Sequence, residues 1–196
     1  MPKTLEELLA DIEKSGIVSQ MVVLGCGKRA VGDDAAGRRV VESLRERDET
    51  IDCRTFGGEL FELLELYRAG HPLFILDAMR TAAHPGTLLL TRGPTTHARL
   101  RNIGGEKTDW NLDGIAGLAK DLGYTIPPLW IMGIEGSSAS GELTPEVSRA
   151  VDFVVENFDA LRAVAFALEP GDPPVILRPP AWELPPIRVD WGPVHA

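Results

Sequence analysis

Two acidic residues, Asp33 and Asp34, lie side by side in a glycine-containing turn near the start of the chain. The apolar residues 21–24 precede this turn and predict a short buried strand, because both faces of that strand would be apolar. A third aspartate, Asp77, ends a longer apolar run over 71–78. A charge at the end of a buried strand is costly unless it is exposed in a crevice, paired or bound to a metal. If the two strands are parallel neighbours, Asp34 and Asp77 meet at one edge of the sheet and can converge on a single ion.

Other interpretations of these residues remain open. Residues 25–30, Gly-Cys-Gly-Lys-Arg-Ala, satisfy the dinucleotide-binding pattern G-x-G-x-x-G/A, which offers backbone N–H groups and a helix N-terminus to a pyrophosphate. Two carboxylates at the mouth of that helix would repel a phosphate, which disfavours this interpretation. Asp33 or Asp34 can also serve only as a helix cap or first-turn residue. Asp77 can equally cap a nearby helix or accept hydrogen bonds from a loop.

The periodicity of the apolar residues predicts the elements that position these side chains. Strands are predicted over 21–24, 51–56, 71–78, 85–91 and 127–134, and helices over 4–15, 35–47, 60–69, 112–122 and from Pro145, with Thr144 as N-cap. An apolar stripe then continues to Leu161 and is expected to pack on the sheet. Strands that alternate with helices favour an α/β domain, with a mostly parallel twisted sheet and helices on both faces.

Residues 1–168 are expected to form this single domain. The helix over 4–15 precedes the first strand, and we expect it to cover a sheet edge or to make a homodimer contact. Eight of the fifteen prolines lie in residues 170–194, so residues 169–196 are interpreted as a proline-rich extended tail. Trp182 and Trp191 are candidates for holding the tail against the domain.

Composition excludes several classes of function. The chain has 196 residues and a net charge of −9, which argues against nucleic acid or an anionic membrane surface as a partner. There is no apolar run near the roughly 20 residues that would cross a bilayer and no signal peptide, so a cytoplasmic location is expected. Cys26 and Cys53 lack C-x-x-C spacing and do not indicate a zinc knuckle or a disulfide framework.

No self-sufficient protease signature is present. Residues 136–140, Gly-Ser-Ser-Ala-Ser, come near a G-x-S-x-G nucleophile elbow but carry serine in place of the last glycine. An H-E-x-x-H zinc-protease helix is also missing.

The glycine and aspartate spacing resembles the opening signature of the [NiFe]-hydrogenase maturation endopeptidases: Gly25-x-Gly27, five residues, Asp33-Asp34, two residues, Gly37. This chain has Lys28 where the family usually has asparagine. The resemblance also covers the Asp77-Ala78 strand end and residues 133–150. It implies a three-layer α/β sandwich of the phosphorylase/hydrolase-like type.

The resemblance further implies which residues contact a metal. In that family the second acidic residue of the pair and the aspartate that ends the later strand are nickel ligands, and these positions fall on Asp34 and Asp77. The family's third ligand is a histidine placed just before a helix, but neither Thr108 nor Asp109 is histidine. Asp109 is the predicted substitute, because a carboxylate oxygen can bind nickel, and His97 is the alternative.

A fourth acidic residue, Glu135, follows the strand over 127–134 at the same edge and is a further candidate for adding charge near the metal. His84 and His71 are weaker candidates, since His84 adjoins a Pro-Gly turn and His71 precedes its strand.

The implied function is endopeptidase removal of the C-terminal extension of a hydrogenase large-subunit precursor after nickel insertion. The nickel arrives with the substrate, and Asp34 and Asp77 are the implied catalytic residues. Three alternatives remain: a relative that binds the precursor as an assembly factor without cleaving it, a nucleotide-binding oxidoreductase, and a peptidase of the same fold with another substrate.

Overall fold

The computed structural model describes residues 21–27, 31–57, 60–93 and 112–183, together with Glu7, Ala10 and Lys14, which are helical. The remainder of the predicted helix over 4–15 and the tail beyond residue 183 lie outside the described residues.

The secondary structure alternates between strands and helices through most of the chain. The strands are β1 (Val22–Gly25), β2 (Asp52–Thr55), β3 (Leu73–Met79), β4 (Leu88–Arg92), β5 (Leu129–Glu135) and β6 (Val175–Leu177). The helices are α1 (Ala36–Arg47), α2 (Leu60–Ala69), α3 (Leu112–Asp121), α4 (Pro145–Glu156) and α5 (Phe158–Phe166), and a short 3-10 helix, Gly32–Ala35, leads into α1. The five strands predicted from the sequence are all found, each within three residues of its expected bounds.

All six strands join one sheet in the order β2-β1-β3-β5-β4-β6. The first four of these are parallel to one another, and β4 is antiparallel to both of its neighbours. The register places Gly25 beside Leu76, and Asp77 beside Gly133. The ends of β1, β3 and β5 therefore lie side by side at the carboxyl edge of the sheet.

Helices cover both faces of the sheet, because successive side chains of a strand point to opposite sides. Val23 and Phe74 lie in the core under α1, α4 and α5, whereas Val22 and Leu73 lie in a second core under α2 and α3. The predicted three-layer α/β sandwich with a mostly parallel sheet is confirmed. None of the described helices is long and apolar enough to cross a membrane.

Two features differ from the expectation. The apolar stripe expected in one last helix is divided between α4 and α5 at Asn157, whose side-chain Nδ2 donates to the carbonyl oxygen of Phe153 at 2.9 Å. A sixth strand, β6, forms in the proline-rich segment and pairs with the outer side of β4, so β4 is not the outermost strand. Pro173 and Pro174 precede β6, and Pro179 and Pro180 follow it.

Candidate metal-binding site

Close backbone packing joins the start of α1 to the ends of β1 and β3. A Cβ atom at Gly37 would lie 2.1 Å from the carbonyl oxygen of Leu76, and one at Gly27 would lie 1.8 Å from that of Asp34. Gly27 also has a φ of +114°, which side chains rarely tolerate. The motif glycines are therefore required by contact between backbones, and this contact places Asp34 beside the end of β3.

Asp34 and Asp77 are brought together at the carboxyl edge, as their positions in the sequence predict. Their exposed fractions are only 8% and 9%, respectively. Gly133, the neighbour of Asp77 on β5, has no side chain to fill the space on that side. Oδ1 of Asp77 accepts a hydrogen bond from the N–H of Ala78 at 2.8 Å.

Electrostatics make this pair unusual. Burial, followed by the negative charge of Asp34, raises the pKa of Asp77 to about 7, although the hydrogen bond from Ala78 opposes the change. Two nearly buried carboxylates close enough to repel one another favour either a shared proton or a bound cation. The arrangement is thus chemically suited to donating oxygen ligands to a metal.

Asp33 has a different role from its neighbour. It is fully buried, and its carboxylate accepts hydrogen bonds from the backbone N–H groups of Ser137, Ser138 and Thr144 at 2.7–2.9 Å and from the Thr144 hydroxyl at 3.1 Å. Burial alone would raise the pKa of Asp33, but these hydrogen bonds outweigh it and lower the pKa. Asp33 therefore joins the 3-10 helix to the loop between β5 and α4.

This bonding also changes the role of Thr144. The residue stands at the N-cap position of α4 as predicted, but its side chain makes no capping hydrogen bond to the helix. The hydroxyl is directed to Asp33 instead. Sequence reasoning missed this connection, because the two residues are 111 positions apart.

Glu135, the fourth acidic candidate, makes hydrogen bonds to the connection between β3 and β4. It is 2% exposed, and both carboxylate oxygens accept hydrogen bonds from Thr81. The role of adding charge near a metal stays a prediction for Glu135.

Cys26, in the turn after β1, is a buried free cysteine. Burial, together with the negative charges of Asp77, Asp34 and Glu62, raises the pKa of its thiol well above the ordinary value. The thiol therefore stays protonated and is a poor nucleophile. Cys53 is likewise a buried free cysteine, and burial raises its pKa to about 11.

The geometry of the turn counts against a phosphate site. The N–H of Arg38, in the first turn of α1, donates to the carbonyl oxygen of Cys26 at 3.0 Å. The N–H of Asp34 donates to Val31. These two amides are satisfied within the protein, and the nearby carboxylates of Asp34 and Asp77 would repel a phosphate.

The third ligand stays a prediction, since Asp109 and His97 both lie outside the described residues. His84 is exposed, and its Nδ1 lies 2.9 Å from the carbonyl oxygen of Pro85. Within the described ranges, no three His, Cys, Asp or Glu side chains are grouped closely enough to hold a metal ion. The described part of the site therefore supplies two carboxylates, which suits an ion that brings other ligands with it.

Neither a protein-family model nor a curated protein sequence matches this chain. Solved structures do match. The hydrogenase maturating endopeptidase HybD from E. coli is 25% identical, with a TM-score of 0.60 over 73% of this chain and 92% of that one. The [NiFe] hydrogenase maturation protease HybD from Thermococcus kodakarensis is 22% identical, with a TM-score of 0.57 over 72% and 98% of the two chains.

The endopeptidase HycI from Escherichia coli is 19% identical, with a TM-score of 0.57 over 73% of this chain and 91% of that one. At these identities the second and third likenesses concern the fold alone. The resemblance predicted from the glycine and aspartate spacing is confirmed: over nearly three quarters of its length, this chain is similar in structure to the hydrogenase maturation proteases.

Proposed function

We propose that this protein is a maturation endopeptidase that removes the C-terminal extension of a [NiFe]-hydrogenase large-subunit precursor after nickel insertion. The observation that carries the proposal is the pair of nearly buried carboxylates at the carboxyl edge of the sheet, Asp77 in β3 and Asp34 in the 3-10 helix that follows β1. The likeness to proteins named as hydrogenase maturation proteases supports the same reaction class.

In this proposal the nickel ion belongs to the substrate, where cysteine thiolates of the precursor hold it. Asp34 and Asp77 contact the ion, and its positive charge relieves their mutual repulsion. As a Lewis acid, the ion supplies polarisation of the scissile carbonyl or activation of a water molecule. Asp109, the predicted third contact, would complete the set from the chain that precedes α3.

Asp33 and the motif glycines prepare the site without touching the substrate. Asp33 holds the 3-10 helix against the β5–α4 loop, and Gly37 allows α1 to approach β3. Both contacts place Asp34 before the substrate arrives, so little rearrangement is needed on binding.

A processing assay tests the proposal. Purified protein is mixed with nickel-loaded and with nickel-free large-subunit precursor, and the mass of the large subunit is measured. Loss of a C-terminal peptide from the loaded precursor only is the expected result. Binding without cleavage would favour the assembly-factor alternative, and the absence of both would reject the hydrogenase substrate. A titration with NAD(H) tests the oxidoreductase alternative, for which we expect no binding.

Variants of the two carboxylates test their assignment. Asp34→Asn and Asp77→Asn should each abolish processing while the far-UV circular dichroism spectrum is unchanged, because the amide keeps the shape of the side chain but removes the charge. Asp33→Asn is the matched control: it should lower the free energy of unfolding by roughly 2–3 kcal/mol, because an amide cannot accept all the hydrogen bonds that Asp33 receives. Unfolding of the Asp34 variant would instead show a structural role.

Asp109→Ala tests the third contact in the same assay. We expect reduced processing and weaker binding of the nickel-loaded precursor. Processing at the wild-type rate would discard Asp109 as a ligand.

A further inference from the structure

Glu135 is a buried carboxylate at the carboxyl edge that the proposed reaction does not use. It is the last residue of β5, it lies beside Met79 of β3, and it is 2% exposed. Met79 is only two residues beyond Asp77, so Glu135 adjoins the part of β3 that carries the site.

Among the described residues, the hydrogen bonds to this carboxylate all come from Thr81. The N–H of Thr81 lies 2.9 Å from Oε1 and 3.0 Å from Oε2, and the Thr81 hydroxyl donates to Oε2 at 2.8 Å. A carboxylate that accepts from both the N–H and the hydroxyl of one residue fixes that residue more tightly than a single hydrogen bond would. Glu135 thus holds Thr81 from the strand next to β3.

The backbone of the same residue holds the far end of the connection between β3 and β4. The carbonyl oxygen of Glu135 accepts from the N–H of Gly86 at 2.8 Å, and its N–H donates to the carbonyl oxygen of Thr87 at 2.8 Å. The N–H of Gly136 donates to Met79 at 3.1 Å. The last residue of β5 therefore makes hydrogen bonds near both ends of the connection over residues 80–87.

The middle of this connection needs such support. Ala82 has a φ of +66°, a conformation that costs free energy in a residue with a side chain and persists only when surrounding contacts enforce it. Residues 80–84 are exposed. The contact from Glu135 to Thr81 is one of the contacts that hold this turn beside the end of β3.

We propose that Glu135 is a positioning residue for Asp77, acting through Thr81. The inference rests on the proposed processing reaction, to which it adds a residue that touches neither the substrate nor its metal. We call the contact between Glu135 and Thr81 the clamp. Small displacements of a reacting group can cost about 100-fold in rate, so loss of the clamp should slow the reaction even though Asp77 is intact.

The test is a double-mutant cycle in the processing assay. Glu135→Gln keeps nearly the same volume but replaces one acceptor oxygen by a donor. Thr81→Val replaces the hydroxyl by a methyl group and leaves the N–H donor in place. Each should lower kcat about 10-fold with KM changed less than about 2-fold. The slowing in the double variant should be smaller than the product of the two single effects, because both changes weaken the same Glu135–Thr81 contact. Thr81→Ser, which keeps the hydroxyl, should process at nearly the wild-type rate.

Two results would overturn the inference while leaving the function in place. If Glu135→Gln abolishes processing but Thr81→Val does not affect it, Glu135 contacts the substrate directly. If Glu135→Gln lowers only the melting temperature and leaves kcat unchanged, its role is structural.

A measurement without substrate separates failure of the clamp from failure of the proposed function. Hydrogen exchange of the Thr81 amide should be slow in the wild type and much faster in Glu135→Gln. If exchange is equally slow in both, the clamp does not exist. If wild-type protein cleaves no precursor, the proposed function fails, and the exchange result still decides whether Glu135 holds Thr81.

Discussion

Asp77 occupies an environment that opposes its ionisation. Its neighbours are apolar or, in the case of Asp34, negatively charged, and its pKa rises to about 7. A group whose pKa is higher in the folded protein than in the unfolded chain binds more protons in the folded state. Its contribution to stability is fully present below the usual value of 3.8 and is lost as the pH rises through about 7. The contribution of Asp77 to stability is therefore smallest above about pH 7, where its carboxylate is charged.

The predicted loss of stability with rising pH can be tested by substitution of Asp77. Asp77→Asn removes the ionisation but retains an oxygen that can accept from Ala78. The free energy of unfolding, measured by urea denaturation, should be higher for the variant than for the wild type, and the difference should grow between pH 5 and pH 8. A difference between the two proteins that does not change with pH would show that Asp77 ionises normally.

The sequence predicts the meeting of Asp34 and Asp77, because each follows an apolar strand in an alternating α/β pattern. It does not distinguish Asp33 from Asp34 by physical reasoning, since both are acidic residues of one turn. Their difference comes from Ser137, Ser138 and Thr144, which the fold brings from more than 100 residues away. The hydrogen bonds of Glu135 are likewise invisible in the local pattern, because Thr81 lies 54 positions earlier.

At the scale of elements, the site depends on how closely α1 lies against the sheet. Gly25 and Gly37 both stand where a Cβ atom would meet backbone, with carbonyl oxygens at 2.5 Å and 2.1 Å, respectively. Backbone cannot move aside as the end of a flexible side chain can. The spacing of these glycines therefore sets the distance between helix and strand, and with it the distance between Asp34 and Asp77.

Gly37→Ala should lower the free energy of unfolding by roughly 2–3 kcal/mol or more, because α1 must move off β3. Gly117→Ala in α3 is the matched control: a Cβ there meets nothing within 4 Å, so it should stabilise the protein by about 0.5–1 kcal/mol. Urea denaturation of both variants checks the contrast. Equal effects at the two positions would contradict the close approach of α1.

The long, strongly patterned elements were predictable from the sequence, whereas short ones that depend on distant partners were not. α2 begins and ends where the apolar pattern predicts it. β6 has only three residues in a proline-rich segment, too few to show an alternating pattern, and it forms because β4 offers an unpaired side. The break between α4 and α5 is hidden because the apolar stripe continues across Asn157.

At the scale of the whole molecule, the segment after α5 closes one side of the domain. Trp182 is 8% exposed, its ring stacks on Phe153 with centroids 5.3 Å apart, and its Nε1 donates to the carbonyl oxygen of Gly86 at 2.8 Å. Gly86 belongs to the same connection that Glu135 holds. The segment after α5 thus contacts the connection between β3 and β4 through Trp182.

Trp182→Ala should lower the free energy of unfolding by about 3–5 kcal/mol, because it removes a large buried ring. Trp182→Phe, which keeps an aromatic ring but loses the N–H, should cost about 1–2 kcal/mol. Phe61→Ala serves as the control, since Phe61 is 75% exposed and its loss should change stability by no more than about 0.5 kcal/mol. Thermal denaturation of the three variants ranks them, and a small effect of Trp182→Ala would mean that the segment is not anchored there.

The placement of β6 between two proline pairs has a consequence for behaviour at high concentration. An outermost strand can recruit strands from other molecules through its unpaired N–H and C=O groups, and this is a route to aggregation. Proline has no N–H to donate, so Pro173, Pro174, Pro179 and Pro180 limit the exposed ladder to the three residues of β6. The segment that completes the sheet therefore also limits pairing of this edge with a strand of another molecule.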